Sequence, residues 1–228
     1  MWLTALVTAI IVTLLRTESR VAGHAADRAE VLEATRTAGA VLGVDLAALE
    51  PSSDLYRVQP ESLSLRVFRG TGIVCGFAGT DPLVRYRGMR QPEPLKDSVL
   101  VLTASPRARA DSLTYAAPAS AACPASAGEE IFQIRLTTSP TERDLLVFYE
   151  SGSYHLDRAF RYRRGAGGRQ PITAEVFADS SRFTVIGGSV VTSIAVDLFP
   201  EASASYLRGK SKGGPAHIRV PVRNREEP

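Results

Sequence analysis

The sequence is poor in the residues that build metal centres and disulfide scaffolds, with two cysteines and three histidines among 228 residues. Two cysteines exclude a disulfide-dense small scaffold and a four-cysteine zinc site. The histidines, His24, His155 and His217, are far apart, and none has the Asp or Glu spacing of a metal site. We therefore expect neither a metal ion nor a cofactor.

The sequence also has no large excess of charge of one sign, because it contains 27 basic and 24 acidic residues and its net charge is only +3. This balance argues against a dedicated nucleic-acid binder. One basic cluster with interleaved aromatics could still contact single-stranded nucleic acid. On an alternating strand, however, its arginines would divide between two faces, so we do not expect nucleic acid as a partner. The cluster comprises Arg158, Phe160, Arg161, Tyr162, Arg163, Arg164 and Arg169.

Motifs for catalysis are absent as well. The sequence has no Gly-x-Ser-x-Gly nucleophile elbow. The segment 208–211 resembles the end of a phosphate loop, but position 204 is Ala instead of the required Gly. The glycines at 165–168 lack a surrounding strand-to-helix crossover and are typical of a hairpin loop. We predict that the protein is not an enzyme and assign no catalytic residue.

The N-terminal residues 1–15 carry no charge, and Arg16, Glu18 and Arg20 follow them. As a helix this run covers roughly 22 Å, less than the ~30 Å hydrocarbon core of a bilayer. A secretory signal peptide has an apolar region of this length, but no basic residue precedes the run and a poor cleavage context follows it. The signal-peptide interpretation is therefore the weaker one.

The helical pattern continues beyond the apolar run. Between Arg16 and Leu49 there is no proline, and apolar or small residues recur in steps of three and four with one position skipped near Thr35. Pro51 ends the pattern. We predict one helix of nearly fifty residues, apolar in its first third and amphipathic afterwards. The recurring positions are Ala22, Ala25, Ala29, Leu32, Gly39, Leu42, Leu46 and Leu49.

The rest of the chain has the residue pattern of β-strands. Apolar and polar residues alternate over 62–69, and further apolar segments of strand length follow. The glycines 187–188 predict a tight turn between two strands, and Pro221 restricts the last strand to an edge. We expect loops at 79–95, 104–128, 165–171 and 208–216. The predicted strands lie at 62–69, 73–77, 98–103, 131–137, 145–149, 154–162, 183–198 and 217–222.

This organisation resembles the type IV pilins and the minor pseudopilins of type II secretion. Several body segments are also similar to that group: 54–55, 61–70, 72–75 and the turn at 161–171. The resemblance implies an α+β fold in which a long N-terminal helix packs on a mainly antiparallel β-sheet domain. It divides the chain into a membrane and assembly helix, 1–50, and a periplasmic β-rich domain, 51–228. It also implies a single-pass inner-membrane protein that assembles with other pilin or pseudopilin subunits into a filament.

The defining motif of that family, a basic leader ending in Gly followed by Phe and Glu, does not occur here, and no acidic residue precedes Glu18. Our hypothesis is that this sequence starts inside the true N-terminal segment. In-frame upstream codons for Gly-Phe-x-x-x-Glu would support it. The prepilin peptidase is an expected partner only if such a longer precursor exists.

In the pilin-like interpretation the helix is the assembly element. Its small residues, Ala22, Ala25, Ala29 and Gly39, allow close approach of neighbouring helices, and Leu32, Leu42, Leu46 and Leu49 supply apolar area. Alternatively, the second half of the helix packs on its own β-sheet. We favour this alternative for Leu42, Leu46 and Leu49.

Cys75 and Cys123 are 48 residues apart in a segment that we place outside the cytoplasm. An oxidising compartment permits a disulfide, which is the interpretation we favour. The alternative is a buried thiol at Cys75 and a free thiol in a loop at Cys123.

Three functions stay open. The leading hypothesis is a non-enzymatic pilin-like or minor pseudopilin subunit of a type IV pilus or type II secretion pseudopilus. The alternative is a membrane-anchored periplasmic β-domain that binds a ligand or an envelope polymer without polymerising. An exported enzyme has the least support, since no acid, base and nucleophile form a recognisable set.

Overall fold

The computed structural model describes residues 2–47, 49, 51–102, 109–120, 123–165, 167–188, 191–201 and 216–222. Helix α1, Trp2–Ala47, confirms the predicted long helix, and the short helix α2, Pro51–Asp54, follows it. The strands in the described ranges are β1 (Leu55–Gln59), β2 (Ser62–Ala78), β3 (Asp81–Gly88), β4 (Ser98–Leu102), β5 (Arg109–Pro118), β6 (Glu130–Leu136), β7 (Leu145–Asp157), β8 (Ala159–Arg164), β9 (Arg169–Pro171), β10 (Arg182–Gly187), β11 (Val191–Leu198) and β12 (Ala216–Pro221).

The long strands β2 and β7 form an antiparallel pair that is the central element of the molecule. Its register runs from Ser62 opposite His155 to Ile73 opposite Leu145. Each strand is so long that its two halves have different neighbours on the outer edge. The first half of β2 pairs with β1 and the second half with β3, while β7 pairs first with β4 and then with β8.

One end of this pair closes into a barrel. The six strands follow one another as β2-β3-β6-β5-β4-β7, every neighbouring pair is antiparallel, and the β2–β7 pairing completes the circle. Closure leaves these strands without a free edge inside the barrel. Alternate side chains fill the interior and bury the first core: Val74, Val84, Tyr86, Val99, Val101, Leu113, Phe132, Ile134, Leu146 and Phe148.

The other end of the β2–β7 pair belongs to an open sheet with the order β1-β2-β7-β8-β9. A second core forms between this sheet, the last turns of α1 and a three-stranded sheet, β10-β11-β12. The predicted hairpin is confirmed, since β10 and β11 pair antiparallel up to Gly187 opposite Val191. Among the described strands, β12, which contains Pro221, pairs only with β11 and lies at the edge, as predicted.

The predicted fold class is wrong. The protein is mostly β, with a closed six-stranded antiparallel barrel and one N-terminal helix, and it is not a pilin-like α+β fold in which a helix packs on a sheet. The predicted loops 79–95 and 104–128 contain β3 and β5, which are two of the six barrel strands. Without them the remaining strands cannot close. The predicted loop 165–171 likewise contains β9, and the loop 208–216 lies outside the described residues except for Ala216 in β12.

Candidate assembly helix and its anchoring charge network

The first part of α1 extends away from the body of the protein. From Leu6 to Glu30 every side chain is exposed except that of His24, which is half-buried. A helix that is apolar on all sides is normally covered by other helices or by lipid. The exposed large apolar residues here are Leu6, Val7, Ile10, Ile11, Val12, Leu14, Leu15 and Val21.

Two threonines in this part satisfy their hydroxyl groups within the helix itself. Thr13 Oγ1 donates to Ala9 O at 2.8 Å, and Thr17 Oγ1 donates to Thr13 O at 2.9 Å. A hydroxyl bonded in this way needs no water partner, so it can enter an apolar interface at little cost. These threonines therefore do not interrupt the apolar surface.

The second part of α1 is docked on the body. Its buried apolar residues, together with Leu49 just after the helix, are spaced by four, four, four and three positions, which places them on one face. Gly39 lies beside this face, and a Cβ atom there would be 3.5 Å from Ile218 Cδ1 of β12. The buried face consists of Ala34, Ala38, Leu42, Leu46 and the following Leu49.

The eight residues singled out in the sequence thus divide into three groups. Leu42, Leu46 and Leu49 lie in the protein's own core, which confirms the favoured alternative for them. Gly39 is half-buried against the body. The other four are exposed on the projecting part or at its end: Ala22, Ala25, Ala29 and Leu32.

A buried charge network joins α1 to the strands beneath it. Asp45 is buried, and its carboxylate accepts a hydrogen bond from the hydroxyl of Tyr154 on β7. The other carboxylate oxygen of Asp45 lies 4.0 Å from Arg69 Nη1 on β2. Between Phe68 and Gly70 the register of β2 against β7 shifts, so Arg69 occupies a β-bulge. A bulge inserts one extra residue into a strand, so the alternation between inward-facing and outward-facing side chains shifts by one position after it.

Glu150 on β7 is the centre of this network and is fully buried. Its Oε1 accepts a hydrogen bond from Tyr162 OH at 2.5 Å and lies 3.5 Å from Arg69 Nη2. Arg164 Nε is 2.8 Å from the same oxygen, although its N–H is not aimed along a hydrogen bond. Arg90 Nη2 donates to Oε2 at 2.9 Å. The negative charge of one carboxylate is thus shared by three guanidinium groups at the junction of the barrel and the open sheet.

Further contacts hold this arrangement in place. Arg90 also forms a bidentate pair with the buried Asp97, at 2.9 and 2.5 Å. Gly152 is required for close packing, because a Cβ atom there would lie 2.1 Å from the hydroxyl of Tyr162. The absence of a side chain at Gly152 lets the Tyr162 ring reach Glu150.

The pKa values of the two buried carboxylates shift in opposite directions. Burial raises the pKa of Glu150, but Arg164, Tyr162 and Arg69 outweigh it and hold the pKa at about 2. Burial also raises the pKa of Asp45, and there the Tyr154 hydroxyl and the more distant Arg69 only partly offset it. The ionised form of Glu150 therefore stabilises the fold, whereas the ionised form of Asp45 lowers the stability of the fold.

Sequence reasoning missed this network. The signal was present in two acidic residues inside apolar segments, Glu150 after the strand residues 145–149 and Asp45 between Val44 and Leu46. Charged residues are rarely fully buried unless they are paired. The partners Arg69 and Arg90, however, come close only through the β2–β7 register and the bulge.

The predicted disulfide is confirmed. Cys75 on β2 is bonded to Cys123 with a Cα–Cα distance of 5.9 Å. The bridge ties a barrel strand to the segment that precedes β6. Structural disulfides of this kind are typical of oxidising compartments.

The arginine and aromatic cluster divides between the two faces of β8, as expected for an alternating strand. Phe160 and Tyr162 face the core under α1, and Arg164 faces Glu150 on the same side. Arg161 and Arg163 lie on the opposite face. The cluster thus offers no continuous row of arginines and aromatics. The glycines of 165–168 lie in the hairpin between β8 and β9.

No group of histidine, cysteine, aspartate or glutamate side chains in the described part of the chain could hold a metal ion. Within those same residues no helix has the length and hydropathy needed to span a membrane. No protein-family model, curated protein or solved structure matches the chain.

Proposed function

We propose that this chain is a non-enzymatic subunit that assembles through its projecting helix with the helices of other subunits, in a filament of the type IV pilus or type II secretion pseudopilus class. The observation that carries the proposal is the exposed, charge-free start of α1, which is apolar on all sides. Its place before assembly is the inner membrane, with the β-rich body in the periplasm. The proposal rests on the helix and not on the fold of the body.

Helix-to-helix packing fits the chemistry of the exposed part. Burying one of its large aliphatic side chains stabilises association by roughly 1.5–3 kcal/mol. Ala22, Ala25 and Ala29 are exposed and small, so a neighbouring helix can approach closely along this segment. The body, in contrast, has two apolar cores of its own. The disulfide between Cys75 and Cys123 agrees with a body outside the cytoplasm.

Disulfide trapping in cells that produce the full chain tests this proposal. Because both native cysteines are bonded to each other, a single introduced cysteine reports contacts between subunits. We expect Ala25→Cys to yield covalent dimers, and the double variant Ala22→Cys, Ala29→Cys to yield a ladder of higher species. Ala40→Cys is the matched control, because Ala40 is exposed on the docked part of the same helix, and it should stay monomeric.

A charged substitution provides the second arm. Ile11→Arg should abolish the ladder while leaving the body folded, since Ile11 is 51% exposed and contacts no core residue. If the cysteine variants that retain Ile11 stay monomeric in the membrane fraction, without any ladder, the result would contradict the proposal and support the anchored, non-polymerising β-domain. Monomers in the soluble fraction would contradict both.

A further inference from the structure

The outer face of the open sheet, opposite α1, carries a row of polar and basic side chains. Residues directly opposite each other in antiparallel strands share a face. Ser62 on β2 is opposite His155 on β7, which is opposite Arg161 on β8. The neighbouring row consists of Ser64, Ser153, Arg163 and Arg169.

His155 is the buried member of this face. It is only 7% exposed, and its Nε2 lies 2.8 Å from Ser153 Oγ. Its Nδ1 is shielded from solvent and has no hydrogen-bond partner among the described residues. An unpaired buried donor or acceptor costs about 1–3 kcal/mol, so this nitrogen is a place where a ligand would be stabilised.

The arginines beside His155 differ in how well their charges are neutralised. Arg161 pairs with Glu175 at 2.6 Å, and Arg169 lies a loose 3.7 Å from Asp157. No carboxylate among the described residues lies within 4.0 Å of Arg163, and its buried Nε has no hydrogen-bond partner. With respect to the described residues, the guanidinium of Arg163 on this face has no counter-charge and that of Arg169 is only weakly paired.

These charges also set the protonation of His155. Burial lowers the pKa of the imidazole, and Arg169 and Arg163 lower it further, while Asp157 and Glu61 act weakly in the opposite direction. A neutral ring that accepts the Ser153 hydroxyl hydrogen at Nε2 carries its proton on Nδ1. The unpartnered nitrogen is then an N–H donor, which suits an anion.

We propose that Nδ1–H of His155 and the guanidinium of Arg163 bind a phosphate-type oxyanion on the outer face of the open sheet, where Arg169 supplies a second positive charge. A phosphate or phosphate monoester carries close to two negative charges and three strong acceptor oxygens at neutral pH. It matches the free guanidinium and the unpaired N–H better than a singly charged carboxylate does. The site is independent of the proposed function, since α1 packs on the other face.

Histidine NMR titration of the full chain in mild detergent tests the site. Inorganic phosphate is added at constant ionic strength against chloride, and the His155 ring signal is assigned by its loss in His155→Gln. We expect a saturable shift of this signal and a rise in the pKa of His155, because a bound dianion favours the imidazolium. His24 and His217 serve as internal references and should not respond.

Variants separate specific binding from general charge. Arg163→Gln should weaken phosphate binding at least about tenfold, a loss equal to ~1.4 kcal/mol. Arg163→Lys should retain part of the affinity, and it keeps the test valid if the glutamine variant folds poorly. The matched control is Arg87→Gln, because Arg87 is an exposed arginine on β3, and its affinity should equal that of the wild type.

A parallel titration with vesicles that contain phosphatidylglycerol identifies the source of the phosphate. A response to inorganic phosphate assigns the site to free phosphate or its monoesters, and a response to vesicles alone assigns it to a lipid headgroup. A linear, unsaturable shift that is equal in all variants, or no shift with either probe, overturns the proposal.

Discussion

Replacing Glu150 with Gln probes the network that anchors α1. The substitution preserves the shape of the side chain and removes its charge, which leaves Arg69, Arg90 and Arg164 without their shared carboxylate. Breaking a buried ion pair by removing one partner is strongly destabilising, because the remaining charges stay desolvated and uncompensated. We therefore expect Glu150→Gln to lower the free energy of unfolding substantially.

The size of the loss follows from the pKa of Glu150. A fall from 4.5 to about 2 corresponds to about 3 kcal/mol of stability at neutral pH, at 1.36 kcal/mol per pKa unit. For a chain of this length each kcal/mol shifts the Tm by roughly 2–4 °C. The expected decrease in Tm is therefore roughly 6–12 °C.

The pH dependence gives an independent check of the sign. The folded-state pKa of Glu150 lies below its unfolded value, so the stabilisation is complete above about pH 4.5 and is lost as the pH falls towards 2. The Tm difference between wild type and Glu150→Gln should therefore be constant near neutrality and shrink below pH 4.5. A difference that grows on acidification would contradict the assigned role.

Thermal unfolding of the full chain in mild detergent, followed by far-ultraviolet circular dichroism, measures these differences. Glu142→Gln is the matched control, because Glu142 is exposed in the segment before β7 and its replacement should leave the Tm within about 2 °C. If Glu150→Gln also stays within 2 °C of wild type at pH 7, the network does not stabilise the fold as argued.

Three further predictions concern the helix, its buried carboxylate and the disulfide. Leu42→Ala should destabilise the protein by about 2–5 kcal/mol in chemical unfolding, because Leu42 is fully buried, whereas Leu32→Ala, at a 48% exposed site, should have little effect on the isolated subunit. Asp45→Asn should be neutral or stabilising at pH 7, since the raised pKa of Asp45 means that its ionised form costs stability as the pH rises above about 4; a large decrease in Tm would refute this. Replacing Cys75 and Cys123 with Ser should cost about 2–4 kcal/mol, and reduction of the wild type should cause a similar loss in the same unfolding assay.

The sequence predicted features that are local in the chain. The long helix, the β10–β11 hairpin and the edge position of β12 each follow from spacing, glycine pairs or a proline within a short segment. The disulfide was inferred from only two cysteines, which leave a single possible pairing. These features need no knowledge of how distant strands meet.

The barrel could not be predicted in the same way, because its closure depends on two strands with weak sequence signals. Strand β3 is rich in arginine and β5 in alanine, so neither has the continuous aliphatic pattern of a buried strand. The bulge at Arg69 hides a further signal. Odd-numbered residues of β2, such as Leu65 and Val67, are buried before it, and even-numbered ones, such as Val74, are buried after it. A search for strict alternation therefore finds two short strands instead of one long strand.

The position of Asp45 suggests why a costly buried carboxylate occurs on the docked face of α1. The leucines on this face would allow small rotations of the helix about its axis, because dispersion contacts are not directional. The hydrogen bond from Tyr154 to Asp45 is directional and is satisfied in only one orientation. Since α1 is a single continuous helix, fixing its rotation at Asp45 also fixes the direction in which Ala22, Ala25 and Ala29 face. Asp45 therefore contributes orientation more than stability. Asp45→Ala, which removes the acceptor of the Tyr154 hydroxyl, should weaken the selective cross-linking at Ala25, whereas Asp45→Asn, whose amide oxygen still accepts this hydrogen bond, should preserve it.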